Sequence, residues 1–382
     1  MKKIPSIDET LDNLFDGACI NYTAKKLSKN SVLNFELCYE NKKFFYSLYA
    51  TKKSLTAKKE LSDKFDLSIK CNAIDWINIA AGRMNPLISI VTGKLKYKGD
   101  VKLIKAVFEN DINSDRPWRK FKDKIAEYEF KNKRKWKKPK KVVAICGAPG
   151  GRKGCTFLIM NHLLNGMKEA KAEVEKIILS EYKIKSCTGC FRCWFVTNGR
   201  CVINDDMKRL NKKILNADLI VYAFPLYVGG VPGLLKNFID RSIQNNYPFF
   251  IQGISHVRHP RRMIKERFTV VLSGSGYPEL NNFDPVVKHF DDMQENRHSP
   301  VLEYLLLPQI VSCFGNPLMY PLLLEKLECL KIAGKQLIER GRVERRILKV
   351  ISRTISKKYT DTWIYYTNNF MQELVDKKAK EY

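Results

Sequence analysis

From residue 142 onward, short apolar runs alternate with stretches of helical period. The first run, 142–146, is apolar throughout, and strand-like runs follow at 173–179, 217–224, 268–272 and 309–313. Helical periodicity occupies 156–170, 233–242, 285–296 and 322–340. Runs buried on both faces and spaced by helices predict a parallel sheet covered by helices. Five such units in about 200 residues predict a doubly wound α/β domain.

Upstream the order differs. A helical segment at 7–27 precedes two neighbouring strand candidates, 32–38 and 43–49. A strand at 65–69, a helix at 72–81 and a strand at 94–97 follow. Strands first paired and then separated by helices predict an α+β unit. Beyond Arg342 a basic tail places Ile347, Ile351 and Ile355 on one helical face. The expected organisation is an α+β domain over 1–128, a basic linker over 129–141, the doubly wound domain over 142–341 and a basic helical extension over 342–382.

Charge sharpens this division. The 382 residues carry 68 Lys and Arg against 40 Asp and Glu, a net charge of +28. That balance favours anionic lipid surfaces, nucleic acid or an acidic redox protein as partners. No nucleic-acid recognition motif accompanies it, so no nucleic-acid partner is expected. Eight of the eleven residues 131–141 are basic, which suits a solvated linker. Contact with an anionic membrane surface, with Trp136 at the interface, is the alternative. The start of the chain lacks a signal peptide's apolar core, and no run of 18 uncharged apolar residues occurs. A cytoplasmic location is therefore expected, and the eleven cysteines are expected as thiols or metal ligands rather than disulfides.

Three loops carry candidate chemistry. The first apolar run ends in Gly147-Ala148-Pro149-Gly150-Gly151-Arg152-Lys153-Gly154-Cys155-Thr156, and a helix follows. Glycines present bare amides and a helix N-terminus adds partial positive charge, so the loop suits a phosphate, with Thr156 offering a hydroxyl and Arg152 and Lys153 adding charge. The spacing is neither a Walker A motif nor the dinucleotide fingerprint, and a ligand-free glycine-rich turn is the competing reading. The third run continues into Pro225-Leu226-Tyr227-Val228-Gly229-Gly230, and the fourth into Ser273-Gly274-Ser275-Gly276. Ligands of open α/β sheets sit at the carboxyl ends of strands, so these loops are expected to share one site for a flat ring. Pro225, Leu226 and Tyr227 would supply apolar and aromatic contact, although Tyr227 also suits a packed turn.

A second constellation is Cys187, Cys190, Cys193 and Cys201, spaced C-x2-C-x2-C-x7-C. Four thiolates in one loop suit a 4Fe-4S cluster, with Cys201 completing the set because no second triplet exists. Zinc and plain reduced thiols are the alternatives, although structural zinc usually takes two separated pairs. Cys155, at a helix N-terminus, is expected to favour its thiolate.

Residues 147–156, Pro225-Leu226-Tyr227, Pro232-Gly233 and Lys236-Asn237-Phe238-Ile239-Asp240-Arg241 resemble the NAD(P)H-dependent FMN reductases of the flavodoxin-like superfamily. Ala148 departs from the serine usual in that family. The cysteine motif, followed by Asp205-Asp206-Met207, resembles the iron–sulfur flavoproteins of the same superfamily. The resemblance implies FMN near the cysteines and electron transfer between the two centres. Upstream, residues 73–82, Asn85-Pro86 and 93–100 are similar to the sterol carrier protein type two family, which implies a lipid or fatty acyl ligand. The leading expectation is thus an FMN-dependent oxidoreductase with NAD(P)H or a small redox protein as donor, assembled as a homo-oligomer. An FMN, quinone or nitro reductase without a cluster is one alternative. A non-enzymatic lipid-binding or membrane-associated protein is the other.

Overall fold

A computed structural model describes residues 6–22, 29–80, 84–104, 136–252, 257–262, 265, 267–297, 299–315, 319–354 and 360–379. The chain divides into two compact units, Met1–Arg119 and Lys120–Tyr382.

The first unit opens with helix α1 (Ile7–Asn21). Ser6 and Glu9 cap it reciprocally, each side chain bonded to the other's amide. Strands β1 (Ser31–Tyr39), β2 (Lys42–Ala50), β3 (Leu55–Lys58), β4 (Leu67–Asn72) and β5 (Leu95–Gly99) form one sheet in the order β3-β2-β1-β4-β5. The β1–β4 pair is parallel and the others antiparallel. Helices α2 (Ala73–Ala80) and α3 (Pro86–Val91) lie between β4 and β5. Phe15, Phe35, Tyr46 and Trp76 build the core, with Phe15 stacked on Tyr46 at 4.2 Å. The α+β expectation holds. The strand expected at 65–69 runs instead through Leu67–Asn72, and the extension of the first helix over 23–27 and Ile355 lie outside the described residues.

The second unit is built on β6 (Lys141–Cys146), β7 (Glu173–Ile178), β8 (Leu219–Pro225), β11 (Phe268–Gly274) and β12 (Val301–Leu307), all parallel. A two-residue pair, β9 (Ile251–Gln252) and β10 (Val257–Arg258), stands apart. The sheet order β12-β11-β8-β6-β7 is the flavodoxin-like one, with its direction reversing between β6 and β8. Alternate residues of β6 serve opposite faces. Val142, Ala144 and Cys146 pack under α4 (Cys155–Glu169) and α10 (Tyr320–Arg340). Val143 and Ile145 pack under α6 (Met207–Asn216), α7 (Gly233–Arg241) and α8 (Asp284–Arg297). Helix α5 (Arg192–Phe195) is a single turn inside the cysteine segment.

One strand was misplaced from sequence. Residues 309–313 fall in helix α9 (Ile310–Gly315), and the fifth strand is β12, before Pro308. A five-residue apolar run does not distinguish buried strand from buried helix by period.

After α10, helix α11 (Arg345–Ile351) buries Ile347 and Ile351 in the same core, whereas α12 (Thr360–Ala379) exposes most of its surface. Lys326, wholly buried on α10, donates to the Ile351 carbonyl at 2.5 Å, and burial lowers its ammonium to about 8. Trp136 is anchored rather than solvent-facing. Its indole donates to the Ile338 carbonyl at 3.0 Å and packs on Phe268. Residues 131–135 of the basic run lie outside the described residues. Among the described residues no helix is long and apolar enough to cross a membrane.

Helices α4 and α10 meet backbone to backbone. A Cβ on Gly166 would lie 1.7 Å from the Lys331 carbonyl oxygen, and one on Gly334 would lie 2.0 Å from that of Leu163. Gly334→Ala should therefore cost roughly 1–3 kcal/mol or more through overpacking, read by denaturant unfolding. Gly276→Ala, which meets nothing within 4 Å, should stay within about 0.5 kcal/mol of the parent.

Candidate functional site

The loop between β6 and α4 is shaped by two glycines. Gly147 continues the ladder, donating its amide to the Ala223 carbonyl at 2.8 Å, and a Cβ on it would meet Leu235 of α7 at 2.8 Å. Gly151 has φ +53°, and a Cβ there would strike Ser180 Oγ at 2.5 Å. Gly154 leads into α4, which no side chain caps. The first-turn amides and the helix dipole therefore favour an anion. Thr156 and Ala148 are buried beneath the loop, while Pro149, Gly150 and Lys153 are exposed.

Arg152 grips Glu181 with two bonds, at 2.5 and 3.0 Å, stapling the loop to the exit of β7. One expectation changes here. Cys155 does not favour its thiolate: burial pushes the thiol up, outweighing the bond from its own amide.

The loops after β8 and β11 sit beside it. Leu226 donates its amide to the Gly274 carbonyl at 2.8 Å. Tyr227 and Gly230 exchange two backbone bonds, at 2.9 and 2.8 Å, around Val228 (φ +49°) and Gly229 (φ +72°). Positive φ at a β-branched residue is strained, and the tip it forms stands in solvent with Tyr227 half-exposed. Past β11, Ser273 is buried and Ser275 turns inward, its hydroxyl donating to the Tyr277 carbonyl at 3.0 Å. A Cβ on Gly274 would meet Ile310 at 2.6 Å, whereas Gly276 borders open space. The backbone bonds Gly147–Ala223 and Leu226–Gly274 thus tie the three loops together at the carboxyl ends of β6, β8 and β11.

The four cysteines share one cavity of about 60 Å³, closed by Ile203, Arg241 and Gln244. Cys193 is buried, Cys201 half-buried, and Cys187 and Cys190 are exposed. Burial pushes the Cys193 thiol up, and the neighbouring charges of Cys201, Cys190 and Cys187 add to it. Cys190 moves down instead, because the Arg192 amide and the Thr188 hydroxyl bond to its sulfur. Among the described residues, no three His, Cys, Asp or Glu side chains close on a single-ion position.

The cavity is braced by a buried ion pair. Arg241 Nη1 and Nη2 bond Asp205 at 2.6 and 3.0 Å, with both side chains at most 2% exposed. Arg241 also donates to the Lys185 carbonyl at 2.8 Å and bonds Cys201. Gln244 accepts from the Cys201 amide at 3.0 Å, and Arg262 donates to the Cys193 carbonyl at 3.3 Å. Sequence reasoning missed Gln244 and Arg262 as supports, and quoted Asp205 and Arg241 without joining them. Helix α7 links the two halves of the site. Leu235 abuts Gly147, Asn237 accepts from the Ser186 hydroxyl at 3.1 Å, and Arg241 closes the cysteine cavity. Arg241 lies six positions after Leu235 on the helix, a rise of about 9 Å.

This segment has known relatives. Residues 140–274 match the NADPH-dependent FMN reductase family. That stretch contains the phosphate-loop candidate, all four cysteines and the Tyr227 turn. Residues 22–109 match the SCP-2 sterol transfer family. An iron-sulfur flavoprotein of Archaeoglobus fulgidus is 38% identical over 102 residues, 27% of this chain and 48% of that protein. One from Methanocaldococcus jannaschii is 38% identical over 102 residues, 27% of this chain and 51% of that protein. The chain spans about half the length of the curated relatives it matches. Among solved structures, an FMN-dependent NADH-azoreductase from Bacillus anthracis in complex with FMN aligns at 16% identity and a TM-score of 0.40, over 52% of this chain and 100% of that one.

The ion pair in this reductase-like segment makes a direct prediction. Arg241→Met leaves a buried carboxylate alone and should cost about 3–5 kcal/mol in denaturant unfolding. For the Asp205 carboxyl, burial acts upward but is outweighed by Arg241 and by the Lys185 and Met207 amides, which leave it below its usual range. A depressed folded-state value stabilises the fold above the unfolded-state value of about 3.9. The contribution should be present at neutral pH and fade as pH falls below about 4, and the fading should be absent in Asp205→Asn.

Proposed function

We propose that residues 140–341 bind one FMN and that Cys187, Cys190, Cys193 and Cys201 hold a 4Fe-4S cluster. On this reading the chain is an FMN-dependent oxidoreductase. When bound, the flavin carries one or two electrons and the cluster carries one. The observation that carries the reading is the single cavity shared by the four thiols at one end of α7, whose other end rests against the phosphate-loop candidate.

The chain's residues fit these groups. The loop 148–156 offers uncapped helix amides to the phosphate. The backbone of 225–230 and 274–276 offers close approach and a half-exposed Tyr227 to a flat ring. Arg241 sets a buried positive charge beside Cys201 and bonds its sulfur. NAD(P)H or a small redox protein is the proposed donor, and the residue 22–109 segment is the proposed site of a lipid or fatty acyl ligand.

A second reading is an FMN, quinone or nitro reductase whose cysteines bind nothing. It is favoured by the exposure of Cys187 and Cys190.

Two variants test the assignment. Thr156→Glu places a carboxylate against the flavin phosphate and should lower FMN affinity at least a hundredfold, roughly 2.7 kcal/mol, in fluorescence titration. Unchanged affinity would remove the phosphate loop from the account. Anaerobically purified protein should contain about four irons per chain, and Cys193→Ala should lose them while keeping FMN. Zinc or no metal in reconstituted parent protein would leave the second reading standing.

A further inference from the structure

A second cavity, of about 230 Å³, lies at the far end of the parallel sheet from the glycine loops. Ile220 sits near the start of β8 and Thr269 near the start of β11, and Ser299 precedes β12, so these lining residues mark the amino ends of the strands. The apolar wall is Ile214, Ile220, Tyr222, Ile239 and Ile243. The polar wall holds Arg261 and Arg267, at 7% and 4% exposure, with Asn246 and Ser242 beside them. The acid among the described lining residues, Asp240, already accepts from Lys236 at 2.7 Å. The described lining thus brings two buried guanidinium groups and one carboxylate to the cavity.

We propose that this cavity binds a small organic anion, a carboxylate carried on a single ring or short apolar body. A guanidinium carries five donors in a planar fork, so bonds within the protein and to a ligand's carboxylate are compatible. Charge-assisted bonds of this kind are about twice as strong as neutral ones. The volume is below the 300–1,000 Å³ typical of drug-sized ligands, which limits the occupant to a fragment of that kind. The five apolar side chains in the same lining would contact its body.

The site is separate from the glycine loops but shares a wall with the cysteines. Across the turn Ser242–Asn245, Ile243 lines both cavities; Gln244 faces the thiols, and Ser242 and Asn245 face the arginine side. Binding here does not depend on the FMN or cluster assignment. Its failure would leave that assignment untouched.

Calorimetric titration of the full-length protein with benzoate and with neutral benzamide tests the proposal. Benzoate should bind saturably at one site, and benzamide at least tenfold more weakly, a difference of about 1.4 kcal/mol. Arg261→Gln and Arg267→Gln should each weaken benzoate at least tenfold. Ile220→Phe keeps both charges but fills the space, and should abolish binding. Thermal melts identify any variant that fails to fold, in which case the arginine variants and the benzamide comparison decide. The proposal is overturned if benzoate shows no saturation by about 10 mM, if benzamide binds equally, or if folded arginine variants bind like the parent.

Discussion

The pair between Arg241 and Asp205 is the contact on which the candidate site depends. It joins residues 36 positions apart and is almost wholly out of water. Isolated charges at that depth are costly, and an ion pair repays the cost only when its remaining hydrogen bonds are satisfied. Most of them are: Asp205 also accepts from the Lys185 and Met207 amides, and Arg241 also donates to the Lys185 carbonyl and bonds Cys201, while its buried Nε–H has no partner among the described residues. The pair thereby locks the end of α7 to the start of α6 and to both flanks of the cysteine loop. Together with the Gln244 bond to the Cys201 amide, it holds Cys201 against the exposed loop that carries Cys187 and Cys190.

The other end of α7 is held by packing instead of charge. Gly147 admits Leu235 because it has no Cβ, and Gly151 admits Ser180 for the same reason. The reversal of sheet order between β6 and β8 opens the crevice there, and the uncapped α4 N-terminus faces it. One helix of nine residues therefore sets the spacing between an anion-favouring loop and a thiol-lined cavity.

Much of this was legible in the sequence because it rests on local pattern. The runs 142–146, 217–224 and 268–272 are apolar throughout or nearly so, which strands buried on both faces require, and each became a strand. The cysteine spacing marked its own loop. What escaped depends on tertiary partners. The bond from Arg152 to Glu181, 29 residues away, has no local signature. Cys155 has the right place on its helix, yet burial outweighs the helix N-terminus. Helix α6 carried a signal in Met207, Leu210 and Ile214, spaced three and four apart, that was passed over amid its many charges. The fifth strand was misplaced because the five-residue apolar run 309–313 does not tell buried strand from buried helix; the strand is Val301–Leu307 and the run falls in a helix.

The central claim is that the four thiols gathered by Arg241 hold a redox-active iron cluster in a protein that also holds FMN. Low-temperature electron paramagnetic resonance of anaerobically purified, chemically reduced protein tests it most directly. The account predicts the signal of a reduced four-iron cluster in a sample that contains one FMN per chain, with the signal diminished in Arg241→Met. A sample that retains FMN but shows no iron–sulfur signal after anaerobic reconstitution would contradict it.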